Sequence, residues 1–350
     1  MPNVVLVTGV SRHLGGAFAR LLSQDPSIER IIGVDVVPPP HGIGRAHFMR
    51  ADIRSPMIGK IIAAAAVDTV VHMGVIATPL NAGGRSTQKE INVIGTMQLL
   101  AACQKTSSVQ RLIVKSTASV YGSSFRDPAM FTEDMAAKEL PKSGFGKDSV
   151  EVEGYVRGFA RRRPDIGITM LRFANVIGPN IKTAMTDYFS LPVIPIPFGF
   201  DGRMQFIHED DVAAALVRAT LADAVGTINV AGDGIVTVGQ AAGLAGRPFL
   251  PMPPLAGTGI SAIFKRAGLI DFSPDQLDIL VHGRGLDTTR MRTRLNFEPA
   301  YSSRAAFDDF VHAGVRPRDR AVEAGAAVMS AAGGRLHNIR EALTGMSGLR

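Results

Sequence analysis

Gly9-Val10-Ser11-Arg12-His13-Leu14-Gly15-Gly16 follows the apolar run Val4–Thr8 and opens a helical pattern. Free backbone N–H groups at a helix N-terminus form an anion site, and a glycine turn lets a phosphate approach them. An acidic residue about 20 positions further on suits the hydroxyls of an adenosine ribose. Asp35 stands 20 residues after Gly15 and ends a second apolar run. Its carboxylate would repel a ribose 2′-phosphate, so the pattern favours NAD over NADP. Arg12 works against that preference, because its guanidinium can contact a phosphate.

Other chemistries find less support. No His/Cys cluster has metal-ligand spacing, so no metal site is expected. His72 and His208 read as packed strand residues. Cys103 is the only cysteine, which excludes an internal disulfide framework. The 38 Lys+Arg and 31 Asp+Glu give a net charge of +7. All of that excess falls in residues 1–180, and its scatter suits a small anionic ligand better than nucleic acid. The only dense run, Arg161-Arg162-Arg163, ends a predicted helix before Pro164, where cations complement the helix dipole. No stretch approaches 18 consecutive apolar residues, and the start lacks a basic region and a cleavage site. The expectation is a cytoplasmic protein that neither spans a membrane nor binds nucleic acid.

These residues need a frame. Val4–Thr8, Arg30–Asp35, Ala46–Met49, Thr69–His72 and Arg111–Lys115 read as strands, and Leu14–Ser23, Pro56–Ala66 and Ser86–Lys105 as helices. Near-continuous apolar strands separated by helices indicate an α/β fold with a doubly wound parallel sheet of Rossmann type. A helix over Lys147–Arg162 and a strand over Gly167–Phe173 continue it. After Pro179 the text becomes rich in proline and glycine and its elements shorten. The predicted organisation is a dinucleotide-binding domain over 1–179 to which later segments return, a smaller α/β substrate domain over 180–312, and a helical or flexible tail over 313–350.

Ordered motifs over about residues 3–312 resemble the extended short-chain dehydrogenase/reductases, the NAD-dependent epimerase/dehydratases, with UDP-glucose 4-epimerase among its members. Thr8-Gly9 opens the phosphate loop, and Asp52-Ile53 resembles the family's adenine-contacting pair. Val70-Val71-His72-Met73-Gly74 resembles the strand beneath the cofactor, and Asn92-Val93-Ile94-Gly95-Thr96 the helix motif after it. Ser116-Thr117-Ala118-Ser119-Val120-Tyr121-Gly122 resembles the segment that carries a catalytic hydroxyl. Leu171 to Pro179, Phe206 to Ala213 and Asp287 to Arg290 match later landmarks.

The resemblance implies a reversible hydride transfer between NAD and a nucleotide sugar. Gly9, Arg12, His13, Leu14, Gly15, Asp35, Asp52, Ile53, Met73, Gly74, Asn92 and Lys147 would hold the cofactor. Thr117, Asn175, Arg203 and Arg284 would face the substrate. It also implies pairing of two copies through helices at about 86–105 and 147–162. The departures are specific. Arg12 and His13 stand where the family has its middle loop glycine. The family's proton acceptor is a tyrosine four residues before a lysine, with a glutamate four residues after it. Aligning on Lys147 and Glu151 puts Ser143 at the tyrosine position. An aliphatic hydroxyl titrates far above a phenol, so Ser143 is no substitute. Tyr121 is then the replacement acid/base candidate, and Lys147 a second one if burial depresses its pKa. The rival expectation is a catalytically silent NAD(P)-binding sensor or scaffold.

Overall fold

The computed structural model describes residues 2–73, 76, 83–142, 144–252 and 274–314. The first part runs β1 Val4–Thr8, α1 His13–Leu22, β2 Arg30–Asp35, β3 His47–Arg50, α2 Met57–Ala64, β4 Thr69–His72, α3 Arg85–Lys89, α4 Thr96–Lys105, β5 Arg111–Thr117 and α5 Gly144–Arg162. It continues with β6 Gly167–Phe173, β7 Asn175–Ile177, α6 Ala184–Phe189, β8 Ile194–Pro197, β9 Arg203–Met204, β10 Phe206–His208, α7 Glu209–Leu221 and β11 Gly226–Val230. The remainder is β12 Val236–Thr237, α8 Val238–Leu244, β13 Phe249–Met252, α9 Pro274–His282, α10 Thr289–Thr293 and α11 Ser303–Gly314.

Seven of these strands form one parallel sheet in the order β11-β6-β5-β4-β1-β2-β3. The chain winds outward from β1 through β2 and β3, then returns to wind the other way from β4. The order reverses between β1 and β4, and in such sheets the crevice at the strands' carboxyl ends takes the ligand. Alternate residues of each strand serve opposite faces. Ile113 of β5 packs with Phe18 of α1 and Leu216 of α7, whereas Leu112 and Val114 pack with Leu99 of α4 and Val156 of α5. A separate apolar cluster of Tyr188, Phe189, Phe206 and Phe307 holds the short later elements together.

The predicted strands at β1, β2 and β4 coincide with the observed ones, because buried parallel strands write themselves as unbroken apolar runs. The predicted helix Ser86–Lys105 is interrupted. A π-helical turn over Glu90–Gly95 separates α3 from α4, and its wider winding lies where Asn92 reaches inward. Strand β5 extends two residues past its predicted end, to Thr117. β11 returns to the main sheet from residue 226, so the chain crosses between the two predicted domains more than once. No helix among the described residues is long and apolar enough to cross a membrane. The tail expected over 313–350 lies outside the described residues from position 315.

Candidate active site

The phosphate loop is built from two glycines with different jobs. Gly9 adopts φ +76°, the left-handed region that favours glycine. Gly15 sits against it: a Cβ there would lie 2.1 Å from the Gly9 carbonyl oxygen. The loop can close only with hydrogen at that position. No side chain caps the first turn of α1, and no acidic residue lies in it. Its N–H groups are therefore available to a phosphate, which is the fit a dinucleotide pyrophosphate requires.

Around this loop opens a cavity of about 360 Å³ at the carboxyl ends of the strands. Gly9, Arg12, His13, Leu14, Gly15 and Met73 form one wall; Lys115, Ser116 and Thr117 of β5 form the floor. Phe145 and Gly146 of α5, then Asn175, Asn180, Lys182 and Arg284, close the other sides. Arg12, Lys115, Lys182 and Arg284 make the lining basic, and among the described residues it contains no carboxylate. Asp35 does not line the cavity. Its two oxygens accept the N–H groups of Ser11 at 3.0 Å and Val36 at 2.8 Å, which ties the end of β2 to the phosphate loop.

Other residues proposed from sequence fall in a supporting layer. Asp52 is bound by Arg54 at 2.6 Å and lies outside the lining, beside Ile53, whose side chain packs against Gly95. Asn92 is fully buried; its Oδ1 accepts from Ile76 N at 2.8 Å, and its Nδ2 donates to the Ile76 carbonyl and to Asp148. It holds the backbone of Ile76 and is not in the cavity wall. Gly74 and Ser143 lie outside the described residues. His72 is a packed residue, wedged between the hydroxyls of Thr8 and Thr96 at 2.9 Å each, and burial pushes its pKa down to about 4. His208 stacks on Tyr301 with ring centroids 3.9 Å apart.

Tyr121 is not placed for acid/base work. It is 1% exposed, stacks on Phe131, and donates its hydroxyl proton to Asn229 Oδ1 at 2.8 Å while accepting from Arg172 at 2.8 Å. Burial raises its pKa, the wrong direction for a base at neutral pH. Its hydroxyl is covered by Arg172 of β6 and Asn229 of β11. None of the chain's four tyrosines lines the cavity: Tyr155 is exposed, Tyr188 is packed among aromatics, and Tyr301 covers His208.

Lys147 is exposed on α5 and absent from the cavity wall. The reason lies in which glutamate anchors the helix. Glu153 is buried, accepting from Ser116 Oγ at 2.7 Å and from Arg172 at 2.7 and 2.9 Å. Glu151 is only partly covered and pairs with Lys89 at 3.7 Å. Counting back from Glu153 puts Ser149 at the lysine position and Phe145 at the tyrosine position, two residues from the register chosen on sequence. Phe145 does line the cavity. Ser149 is buried and donates its hydroxyl to the Phe145 carbonyl at 2.8 Å.

On β5, Thr117 faces the cavity and its Oγ1 accepts from Ser119 N at 3.2 Å, capping the turn that follows. Lys115, two residues earlier and so on the same strand face, is not among the residues expected from sequence. Among the described residues it has no hydrogen-bond or ion-pair partner, and burial beside the Arg12 cation pushes its pKa down to about 8. On the substrate side, Asn175 donates to the Gln205 carbonyl at 3.3 Å and Arg284 donates to the Gly122 carbonyl at 2.9 Å, both within the lining. Burial brings Arg284 down to about 10. Arg203 is exposed on β9 and turned away, because the buried partner of that two-residue strand is Met204.

His13 joins the loop to the later segments through Glu209, with Nε2 and Oε2 3.5 Å apart. Glu209 also accepts from the backbone and side chain of Asn180 at 3.0 and 2.8 Å. Glu209 raises the His13 pKa, and the same contacts lower that of Glu209. A raised histidine adds stability below its unfolded value near 6.5, which is lost as pH climbs through the folded value. The lowered Glu209 sets the acid limit, since its contribution disappears as pH falls through the carboxylate range. We expect His13→Gln to lower Tm by about 1–2 °C at pH 5.5 and by nothing measurable at pH 8.5, given the partial exposure of His13. Equal deficits at both pH values in thermal melts would refute the pairing.

Residues 5–231 match the model of the "NAD dependent epimerase/dehydratase family". The chain belongs to that family. It is 45% identical over 313 residues to an uncharacterized protein of Mycobacterium tuberculosis, covering 88% of this chain and 83% of that one. Its fold is similar to UDP-glucose 4-epimerase of Thermotoga maritima, solved with UDP-glucose, at TM-score 0.68 and 21% identity over 89% of this chain and 98% of that one. It is also similar to UDP-glucuronic acid 4-epimerase of Bacillus cereus, solved with UDP-glucuronic acid and NAD, at TM-score 0.67 and 20% identity over 89% and 98% of the two chains. As an epimerase/dehydratase family member, this chain keeps the loop, the β5 hydroxyl and the asparagine turn, and has no cavity-lining tyrosine.

Proposed function

We propose that the protein is an NAD-dependent epimerase/dehydratase-type enzyme acting on a nucleotide sugar. The observation that carries this reading is the single cavity that joins the phosphate loop, Thr117 and the segment from Asn175 to Lys182 with Arg284. Bound NAD supplies a hydride acceptor, and afterwards a donor, for one sugar carbon. The N–H groups at the start of α1 hold its pyrophosphate, and Asp35 at the end of β2 favours the unphosphorylated ribose. Met73 and Ile76 give an apolar wall that excludes water from the reacting end. Thr117 bonds the sugar oxygen whose proton moves, and Asn175, Asn180, Lys182 and Arg284 hold the substrate's diphosphate.

The test is direct. The purified protein is offered NAD with UDP-glucose, UDP-glucuronic acid and related nucleotide sugars, and products are separated by chromatography. Interconversion is expected, with kcat falling about 100-fold in Thr117→Ala. A second reading, the silent sensor or scaffold, is favoured by the absence of any tyrosine from the lining. Tight NAD binding with no turnover of any nucleotide sugar would select it. NADH fluorescence is easily read here because the chain has no tryptophan.

A further inference from the structure

We propose that Lys115, on β5, is the proton-carrying catalytic residue of this site, doing from the floor of the cavity what α5 has no residue to do. The inference rests on the nucleotide-sugar reading above. Oxidising a carbinol needs a group that accepts a proton and later returns it. The titratable side chains lining the cavity are Arg12, His13, Lys115, Lys182 and Arg284. The two arginines remain protonated throughout the neutral range. His13 is engaged by Glu209, with Nε2 and Oε2 3.5 Å apart. Lys182 is exposed at the rim. Lys115 alone is partly buried, without a hydrogen-bonding or ionic partner among the described residues, and on the same face of the same strand as Thr117.

The charged and titratable groups around it are Arg12 from the phosphate loop, His72 on β4, and across the cavity His13 with Glu209, Lys182 and Arg284. Burial and Arg12 both disfavour the ammonium form, and the resulting pKa of about 8 leaves both protonation states accessible near neutral pH. In the oxidative direction the neutral amine takes the hydroxyl proton of the substrate. The C–H electron pair leaves with its hydrogen as hydride to NAD, and a carbonyl forms. In the reverse direction hydride returns to carbon and the ammonium gives its proton to the oxygen. Protons and electrons balance with no further reactant.

Lys115→Arg keeps the charge and length but cannot release its proton. It is expected to bind NADH as the wild type does and to lose 100-fold or more of kcat. In the wild type, kcat for oxidation should rise with pH through about 8. A second readout is independent of turnover: amine acylation followed by peptide mass spectrometry. Lys115 should label with a midpoint near pH 8, below the surface lysines, shift upward in Arg12→Gln because the neighbouring cation is removed while burial remains, and be protected by NAD. Turnover in Lys115→Arg within threefold of wild type overturns the role, as does labelling that titrates with the surface lysines. If the wild type turns over no nucleotide sugar, the functional reading falls and the role of Lys115 falls with it. Activity retained in Lys115→Arg removes the role alone.

Discussion

Glu153→Gln is expected to cost about 3–5 kcal/mol of folding stability, read as a fall in the urea midpoint at unchanged slope. Glu153 is 1% exposed and receives Ser116, Arg157 and both sides of Arg172. Arg172 is itself buried in β6, and its remaining partners are neutral: the Tyr121 hydroxyl at 2.8 Å and the Glu133 carbonyl at 3.3 Å. Removing the carboxylate charge strands a guanidinium away from water, which costs far more than the attraction between exposed ions. The exposed pair Arg304–Asp308 on α11 sets the contrast, since an i,i+4 surface pair contributes about 0.3–0.5 kcal/mol. A loss under about 1 kcal/mol would mean that Arg172 finds another counter-charge, and the network would not be the clamp between α5, β5 and β6.

Gly15→Ala should lower NAD affinity by about 100-fold, or about 2.7 kcal/mol. On helix propensity alone the change would stabilise α1 by about 1 kcal/mol. Steric geometry reverses that sign: the new methyl would meet the Gly9 carbonyl oxygen at 2.1 Å, with the Gly9 carbonyl carbon at 2.8 Å and Val10 Cα at 3.2 Å. All three atoms are backbone, so the loop must move away from the helix N-terminus proposed to hold the pyrophosphate. NADH titration by fluorescence measures the loss, and far-UV circular dichroism checks that the sheet persists. Unchanged affinity would show that the pyrophosphate does not sit on this turn.

The legibility of the molecule from sequence was uneven for physical reasons. The strands β1, β2 and β4 and the phosphate loop are local: apolar run, glycine turn and helix start are adjacent in the chain. The acid/base assignments were not local. Glu151 and Glu153 both suit the end of the helical motif, and only burial distinguishes them, so alignment on Glu151 selects Lys147, which lies on the exposed face of α5. Tyr121 looked available because its partners are remote, with Arg172 51 and Asn229 108 residues away. Lys115 could have been found. Strand alternation back from Thr117 places it on the same face, and a lysine directly after the apolar run Leu112–Val114 is itself a signal.

The basic lining has one more consequence. Arg12 and Lys115 repel one another across a partly dry space, and Asp35, which lies outside the wall, offsets the charge of Arg12 but not that of Lys115. In an unfolded chain the two would drift apart and each would be fully hydrated. Holding them together therefore subtracts from the folding free energy, and a phosphate-bearing ligand turns that subtraction into a gain. The dinucleotide then acts as an internal counter-ion, as much a part of the folded protein's electrostatic balance as of its chemistry.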